Sequence, residues 1–164
     1  MHEPIRLAES WRKITYFSAP RGYGKTAAGV QFIRDGAELG EKGLYIAFSR
    51  KGSANLPLQD ASGKTKERYF ESDDRSRFVT LEIDSKKTFM KSLKEIFDYA
   101  RLMEIRRLVI DGLDQASQIL SRDETVQAVG FLVKKTRETN LISVLLIADI
   151  ADSKPTIREI LIPA

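Results

Sequence analysis

The chain has 164 residues, 42% of them hydrophobic and 30% charged, which is enough for one globular domain over 1–164 and leaves little room for a second. Without cysteine it forms neither disulfides nor cysteine zinc sites, and its one histidine, His2, stands at the terminus, which argues against histidine catalysis and histidine metal clusters. The net charge of +4 permits contact with nucleic acid or an acidic partner but requires neither.

Stretches with strand character alternate with stretches of helical spacing. The predicted strands are 14–18, 43–48, 78–83, 107–111 and 141–148, with a short sixth at 157–162. The predicted helices run from Lys25 to about Leu39, from a cap at Asp84 or Ser85, and from about Asp123 to Thr139. Because the fourth and fifth strands are apolar on both faces, we expect an α/β fold whose mostly parallel sheet of five to six strands is covered by helices on both sides.

Apolar residues at helical spacing predict which face of each helix packs on the sheet. In the first helix they are Ala28, Phe32, Ile33 and Leu39. In the second they are Phe89, Leu93, Ile96, Phe97, Ala100 and Met103, and a solvated basic face carries Lys87, Lys91, Lys94 and Arg101. In the third they are Val126, Val129, Leu132 and Val133.

Residues 49–77 differ from the rest of the chain. Ser, Gly, Lys, Arg and Asp dominate this segment, and apolar residues are sparse. We predict a flexible, basic and polar insertion that is largely exposed. A loop of that length inside a domain is often functional, so the insertion is a candidate contact surface.

Residues 19–26 (APRGYGKT) match the pattern [AG]-x-x-x-x-G-K-[ST] between a predicted strand and a predicted helix, which is typical of a phosphate-binding loop (P-loop). Gly22 and Gly24 let the backbone curl so that its N–H groups face phosphate oxygens. Lys25 adds a full positive charge, and the hydroxyl of Thr26 suits Mg²⁺. We predict that ATP is bound by Arg21, Gly22, Tyr23, Gly24, Lys25, Thr26 and Ala27.

Asp111 closes the apolar strand LVID. A P-loop protein needs an acid at this place to hold the shell of Mg²⁺, so we predict that Thr26 and Asp111 bind the metal. The nearby Asp114 could join the site, but we expect it to cap a helix instead. No catalytic base is assigned from these residues.

The stretch APRGYGKTAAGVQFIRDGAELGEKGLYIAF resembles the opening of KaiC-like ATPases of the RecA superfamily. Weaker similarity continues through 108–111 and 144–148. The resemblance implies a three-layer P-loop NTPase fold of the RecA type, binding of ATP with Mg²⁺, and a ring or filament with ATP between subunits. Beyond the loop, the matching residues are Gln31, Phe32, Gly36, Ala37, Gly40, Glu41, Lys42, Gly43, Leu44 and Tyr45.

The sequence departs from that family in two places. Family members carry an acidic residue after the second strand, where a glutamate activates the attacking water, whereas residues 49–51 here are Ser-Arg-Lys. Glu82 and Asp84, at the end of the third strand, are the weak candidates to replace it. The chain also ends soon after the fifth strand, and we expect Lys154 and Arg158 to be surface charges rather than basic residues that act on a neighbouring subunit.

Three functions remain open at this point. The first is a slow Mg²⁺-dependent ATPase. The second, its alternative, is a nucleotide-gated interaction or regulatory module with little or no hydrolysis. The third is a small-molecule or nucleoside kinase, whose lid would use Arg68, Arg75 and Arg77. The stretch LVIDGLDQ also resembles AAA-type and signalling NTPases, with the same loop chemistry.

The expected partners are ATP and either further copies of the chain or another protein. ATP is favoured over GTP because the N-K-x-D signature of GTP-specific proteins is absent. With no secretory signal and no apolar run of the ~20 residues that cross a bilayer, we expect a cytoplasmic protein that does not enter a membrane.

Overall fold

The computed structural model of the protein describes residues 14–19, 24–50, 72–139 and 143–149. Strands and helices alternate along these residues. The strands are β1 (Ile14–Ala19), β2 (Gly43–Arg50), β3 (Ser76–Ile83), β4 (Arg107–Asp111) and β5 (Ser143–Asp149). The helices are α1 (Lys25–Glu38), α2 (Lys86–Leu102), α3 (Leu113–Ile119) and α4 (Arg122–Glu138).

The five described strands form one parallel sheet in the order β1-β5-β4-β2-β3. Among the described strands, β1 lies at one edge, β2 and β3 follow toward the other edge, and β4 and β5 then fill the space between β2 and β1. Because the strands all run the same way, their carboxyl ends lie together at one end of the sheet. Parallel sheets bind ligands at this end, which is where β1 leads into residues 20–26 and where β4 finishes at Asp111.

Both faces of the sheet are covered by helices. On one face α1 packs on a small cluster formed by Val30, Ile33, Tyr45, Ala47, Val109, Leu145 and Ile147. On the other face α2, α3 and α4 pack on a larger cluster that includes Leu44, Ile46, Phe48, Leu108 and Ile110. The predicted α/β fold with three layers is therefore confirmed.

Helix α1 lies close to the sheet because two of its glycines face the strands. A Cβ atom at Gly29 would lie 2.8 Å from Cε2 of Tyr45. A Cβ atom at Gly36 would lie 2.5 Å from Cδ of Arg107. Real side chains do not approach so closely, so a side chain at Gly29 would displace Tyr45 and one at Gly36 would displace Arg107.

The face predicted for α1 from its apolar residues is confirmed in part, since Ile33 and Phe32 both pack in the cluster on this face of the sheet. Ile33 is buried as expected, whereas Ala28 and Phe32 are half-buried and Leu39 is 71% exposed. Glycine contributes nothing to a hydropathy pattern, so the pattern cannot detect a face made of close backbone contacts. The buried residues of α1 are Lys25, Gly29, Val30, Ile33 and Gly36.

Helices α2 and α4 each begin with a capping box. Ser85 is the N-cap of α2, where its Oγ accepts from the Thr88 N–H and Thr88 Oγ1 accepts from the Ser85 N–H. Asp84, the other predicted cap, instead accepts a bond from Thr88 Oγ1 at 3.0 Å. In α4, Ser121 and Glu124 make the reciprocal pair, and the Ser121 N–H lowers the pKa of the Glu124 carboxyl group.

The apolar faces predicted for the longer helices are mostly confirmed. The predicted core positions of α2 are buried, except that Met103 follows the helix and is 39% exposed, and in α4 Val126 is 43% exposed. Helix α3 is not predicted, because its seven residues are too few for a clear period. None of the helices in the described ranges is long and apolar enough to span a bilayer.

The insertion predicted at 49–77 is too wide at both ends. Ser49 and Arg50 belong to β2, whereas Ser76 and Arg77 begin β3. Both strands extend beyond their apolar residues, because the polar residues at the end of β2 and at the start of β3 continue the pairing between these two strands. The described residues leave out 51–71, the predicted sixth strand at 157–162 and His2.

Candidate functional site

Helix α1 begins directly after a glycine in the left-handed backbone conformation. Gly24 has φ 71° and ψ 23°, and no side chain caps the helix. A Cβ atom at Gly24 would meet nothing within 4 Å, so the torsion angle and not a lack of space favours glycine. The first turn contains no acidic residue, and its N–H groups and the helix dipole leave this end of α1 positive.

Lys25 is the first residue of α1 and adds a full charge at this positive end. Lys25 is only 7% exposed, so much of its side chain is shielded from water. The helix dipole disfavours a cation in the first turn, and an anion bound at the helix start offsets that cost. Lys25 therefore suits a phosphate site.

Asp111 ends β4 on the face of the sheet that α1 covers, and it is 8% exposed. Its Oδ2 accepts a hydrogen bond from Oγ1 of Thr26 at 3.3 Å. The same oxygen accepts a hydrogen bond from the hydroxyl of Tyr45 at 2.5 Å. The fold thus brings together Thr26 and Asp111, which the sequence predicts as metal-binding residues although they lie 85 positions apart.

Gly112 turns the chain away from the sheet immediately after Asp111. It has φ 93°, and a Cβ atom there would lie 2.6 Å from the backbone oxygen of Phe48 in β2. Its N–H donates a hydrogen bond to the backbone oxygen of Ile147 in β5 at 3.0 Å. These contacts with both neighbouring strands hold the end of β4, and with it the backbone of Asp111, in place.

Asp114 does not cap a helix, so the capping prediction is wrong. The N-cap of α3 is Gly112, and no side chain makes a capping hydrogen bond there. Asp114 lies in the first turn of α3, is 3% exposed and accepts a hydrogen bond from Nε2 of Gln115 at 3.1 Å. An acid in the first turn is favoured by the helix dipole without being a cap.

The oxygen atoms at this end of the sheet suit Mg²⁺. A hydroxyl and a carboxylate oxygen stand 3.3 Å apart, and Mg²⁺ in nucleotide sites is held by one or two carboxylates together with phosphates and water. Across the described residues, no three carboxylate, histidine or cysteine side chains come together as a protein cage for a metal. The donor set therefore fits a cation that arrives with a polyphosphate.

The model of the family described as KaiC ATPase matches residues 11–161, which contain every strand and helix of the structure. The chain belongs to the KaiC ATPase family. No curated protein sequence matches it. The RecA-type P-loop fold of the family agrees with the parallel five-stranded sheet.

By the resemblance to KaiC-like ATPases, residues 49–51 (Ser-Arg-Lys) stand where those proteins carry an acid, and of these Ser49 is 2% exposed. Ser49 pairs in register with Glu82 of β3, whose side chain is exposed. Side chains alternate along strands, and this alternation puts Ser49 and Glu82 on the face that carries Asp111. Asp84, by contrast, takes part in the cap of α2. Glu82 is therefore the better placed of the two predicted replacements.

Only part of the predicted phosphate loop falls within the described residues. Gly24, Lys25, Thr26 and Ala27 stand at the start of α1, where Ala27 is exposed. These residues form the helical half of the predicted loop. The predicted residues outside the described ranges are Arg21, Gly22 and Tyr23 of the loop, and Arg68, Lys154 and Arg158 elsewhere.

Two arginines predicted for a kinase lid lie at the wrong end of the sheet. Arg75 precedes β3 and donates a hydrogen bond from Nη1 to the backbone oxygen of Ala37 at 3.0 Å. Arg77 lies near the start of β3, with its guanidinium carbon 5.3 Å from the ring centre of Tyr99. This amino end is opposite to Asp111, so neither arginine supports the kinase alternative.

Tyr45 is a site residue that the sequence prediction misses. It enters that prediction only as one of the residues that resemble KaiC-like ATPases. The available signal is a phenol within a strand of otherwise aliphatic and small residues, GLYIAF. A buried phenolic hydroxyl needs a hydrogen-bond partner, but the sequence does not identify Asp111 as that partner.

Proposed function

We propose that this chain binds ATP together with Mg²⁺ at the carboxyl end of its sheet and hydrolyses it slowly. The observation that carries the proposal is the hydrogen bond between Thr26 and Asp111, which joins the predicted loop to the end of β4 at 3.3 Å. This is the pair that a P-loop protein uses around its metal. Membership of the KaiC ATPase family supports the same function.

Each residue at the helix start has a distinct role in this proposal. The N–H groups at the start of α1 donate to phosphate oxygens, and Lys25 places its charge between the β- and γ-phosphates. Thr26 and Asp111 hold Mg²⁺, which neutralises phosphate charge when bound. Residues 21–23 complete the loop in the sequence-based prediction.

Slow turnover follows from the residues at the end of β2, where Ser49 and Arg50 replace an acid. A base must accept or orient a proton of the attacking water, and the hydroxyl of Ser49 does not do this at neutral pH. Glu82 on the adjacent strand is the carboxylate that would replace the missing acid, one strand further from Asp111. The added distance of roughly 4.8 Å between strands predicts weak activation.

The buried Ser49 also favours a second candidate function, a nucleotide-gated interaction module that binds ATP without hydrolysing it. A partner would then recognise the bound state, and ATP would stabilise the folded protein in proportion to the logarithm of its excess over the dissociation constant. The two functions share the binding site and differ only in turnover.

Melting temperature and phosphate release, measured on the same samples with ATP and Mg²⁺, test both functions. At a hundredfold excess over the dissociation constant, ATP adds about 2.7 kcal/mol, which raises the melting temperature by about 5–10 °C. Lys25→Ala removes the shift, whereas Lys91→Ala, on the exposed face of α2, keeps it. A shift with slow phosphate release supports the ATPase, and a shift without release supports the module. No shift in the wild type would refute both functions.

We also propose that ATP binding promotes self-association, as the family resemblance implies a ring or filament. Light scattering after size-exclusion chromatography, with and without ATP and Mg²⁺, measures the mass directly. A monomer under both conditions, at concentrations where the melting temperature responds to ATP, contradicts self-association and leaves nucleotide binding intact.

A further inference from the structure

The hydroxyl of Tyr45 reaches the carboxylate of Asp111 from beneath helix α1. Tyr45 lies on β2 and Asp111 on the adjacent β4, and both are on the face that α1 covers. Tyr45 is fully buried at 0% exposure, and its hydroxyl donates to Oδ2 of Asp111 at 2.5 Å. The contact joins a core residue to the predicted metal ligand.

Packing fixes the ring of Tyr45 independently of this hydrogen bond. The ring lies against Gly29, where a Cβ atom would come within 2.8 Å of Cε2. The centre of the same ring is 5.6 Å from that of Phe78, with the planes inclined by 35°. A ring confined by a helix backbone and a second aromatic ring holds its hydroxyl at one place, so the hydroxyl can position a neighbour.

Two donors share one oxygen of Asp111. Thr26 and Tyr45 both donate to Oδ2, and a carboxylate oxygen offers two lone pairs. Thr26 is the hydroxyl that the proposed function assigns to Mg²⁺, so its bond to Asp111 is the one that metal binding alters. The bond from Tyr45 starts from a ring that is fixed by packing, so it restricts the orientation of the carboxylate.

We propose that Tyr45 is a positioning residue, which holds the carboxylate of Asp111 in the orientation that receives Mg²⁺ with the nucleotide. This inference rests on the proposed function. Removing a residue that orients a metal ligand typically lowers the affinity for the metal by about 10–100-fold. Binding of ATP without metal depends on Lys25 and the helix N–H groups, so it does not need Tyr45.

The test is a titration with a fluorescent ATP analogue, first in EDTA and then at increasing free Mg²⁺. Tyr45→Phe keeps the ring and removes only the hydroxyl. In EDTA, we expect the affinity of Y45F for the analogue to match that of the wild type within about twofold. The Mg²⁺ concentration that gives half of the full increase in this affinity is expected to rise about 10–100-fold. Tyr16→Phe is the matched control, because Tyr16 is a buried strand tyrosine on the opposite face of the sheet.

A second comparison shows whether Tyr45 acts through Asp111. Asp111→Asn removes the charge, and we expect Y45F/D111N to respond to Mg²⁺ as D111N does. If Y45F alone does not fold, the comparison of Y45F/D111N with D111N still applies, because a neutral amide costs less to leave without the phenol than a buried carboxylate does.

Each outcome separates the inference from the proposed function. The inference alone is overturned if Mg²⁺ strengthens nucleotide binding by the wild type and the Mg²⁺ midpoint of Y45F equals that of the wild type. The inference is also overturned if the Mg²⁺ midpoint of Y16F rises as much as that of Y45F. The same holds if the midpoint of Y45F/D111N lies above that of D111N, because the effect of Tyr45 then does not pass through Asp111. A wild type that binds no nucleotide with or without Mg²⁺ overturns the proposed function, and the inference falls with it.

Discussion

Ser49 and Glu82 are paired in register at the carboxyl ends of β2 and β3, on the face of the sheet that carries Asp111. Ser49 belongs to the stretch 49–51 that stands where KaiC-like ATPases have an acid, and its buried side chain has the exposed carboxylate of Glu82 beside it. Because neighbouring strands are about 4.8 Å apart, Glu82 is one strand spacing from the usual position of the base.

Glu82→Gln is expected to abolish most of the slow phosphate release. If Glu82 accepts or orients the proton of the attacking water, its amide analogue lowers the rate by about a hundredfold. The affinity for ATP stays the same, since Glu82 lies on β3, two strands from Asp111 on β4. Glu95→Gln, an exposed position on α2, is the matched control. Phosphate release that is equal in E82Q and E95Q shows that Glu82 is not the base.

Gly29→Ala is expected to destabilise the protein and weaken Mg²⁺ binding together. Helix propensity alone favours alanine by about 1 kcal/mol. The new methyl group would lie 2.8 Å from Tyr45, 2.9 Å from Ile147 and 3.3 Å from Val109, and overpacking of this kind costs about 1–3 kcal/mol. The ring of Tyr45 must move, so its bond to Asp111 weakens. Denaturant unfolding and the Mg²⁺ titration measure the two effects.

The control for this prediction is Gly130→Ala on α4. Gly130 is exposed, and a Cβ atom there meets nothing within 4 Å. We expect it to gain about 1 kcal/mol of unfolding free energy from helix propensity, with unchanged Mg²⁺ binding. If both glycine variants gain stability, α1 does not pack as closely on β2 as the structure shows.

The parts of the fold that depend on local sequence are predicted well. The runs around Tyr45 and Leu146 predict buried parallel strands, because strands covered on both faces need apolar residues in succession. The position of Lys25 at the start of α1 follows from a motif of eight consecutive residues at 19–26. Asp111 is likewise predicted, because it ends an apolar strand.

The parts that depend on strand pairing are not predictable from the sequence alone. Tyr45 meets Asp111 only because β2 lies beside β4, which is a neighbour in the sheet but not along the chain. The relation of Ser49 to Glu82 needs the register of β2 with β3. Gly29 escapes a hydropathy pattern altogether, since its contribution is the absence of a side chain.

The turn before β3 provides a prediction of pH dependence. Asp73 Oδ1 accepts hydrogen bonds from the N–H groups of Arg75 and Ser76, each at 2.8 Å, and Arg34 lies 3.3 Å from its other oxygen. The bond from the Arg75 N–H is the main cause that lowers the pKa of Asp73 below its usual value. A lowered pKa in the folded state means that ionised Asp73 stabilises the protein above the unfolded pKa of about 3.9.

Asp73→Asn is expected to be less stable than the wild type at neutral pH, by less than about 1 kcal/mol because the carboxylate is exposed. The difference in unfolding free energy between the wild type and D73N stays constant from neutral pH down to about pH 5. It becomes smaller as the pH falls through the lowered pKa of Asp73. Urea unfolding at a series of pH values measures it. The neighbouring exposed Asp74→Asn serves as control. If the difference in unfolding free energy grows as the pH falls, ionised Asp73 does not stabilise the folded protein.

Arg107 and Glu41 form an ion pair at the amino end of β4, away from the nucleotide site. Nη2 of Arg107 lies 3.0 Å from Oε1 of Glu41, and its Nη1 donates to the backbone oxygen of Phe32 at 2.9 Å. The guanidinium carbon stands 4.9 Å from the centre of the Phe32 ring, and Gly36 leaves room for the arginine stem. Phe32, Gly36 and Glu41 all belong to the stretch that resembles KaiC-like ATPases, and these contacts give that stretch a structural role.

Glu41→Gln is therefore expected to lower stability without changing nucleotide binding. The two side chains are 16% and 19% exposed, so removing one charge leaves the other poorly solvated, at a cost of about 1–3 kcal/mol. Arg107 and Asp111 stand at opposite ends of β4, about 13 Å apart at 3.3 Å per residue, so the affinity for ATP changes less than about twofold. Glu38→Gln, exposed near the end of α1, is the control for denaturant unfolding. Equal stability of E41Q and E38Q rules out a stabilising ion pair, and a large loss of ATP affinity in E41Q shows that the two ends of the sheet are coupled.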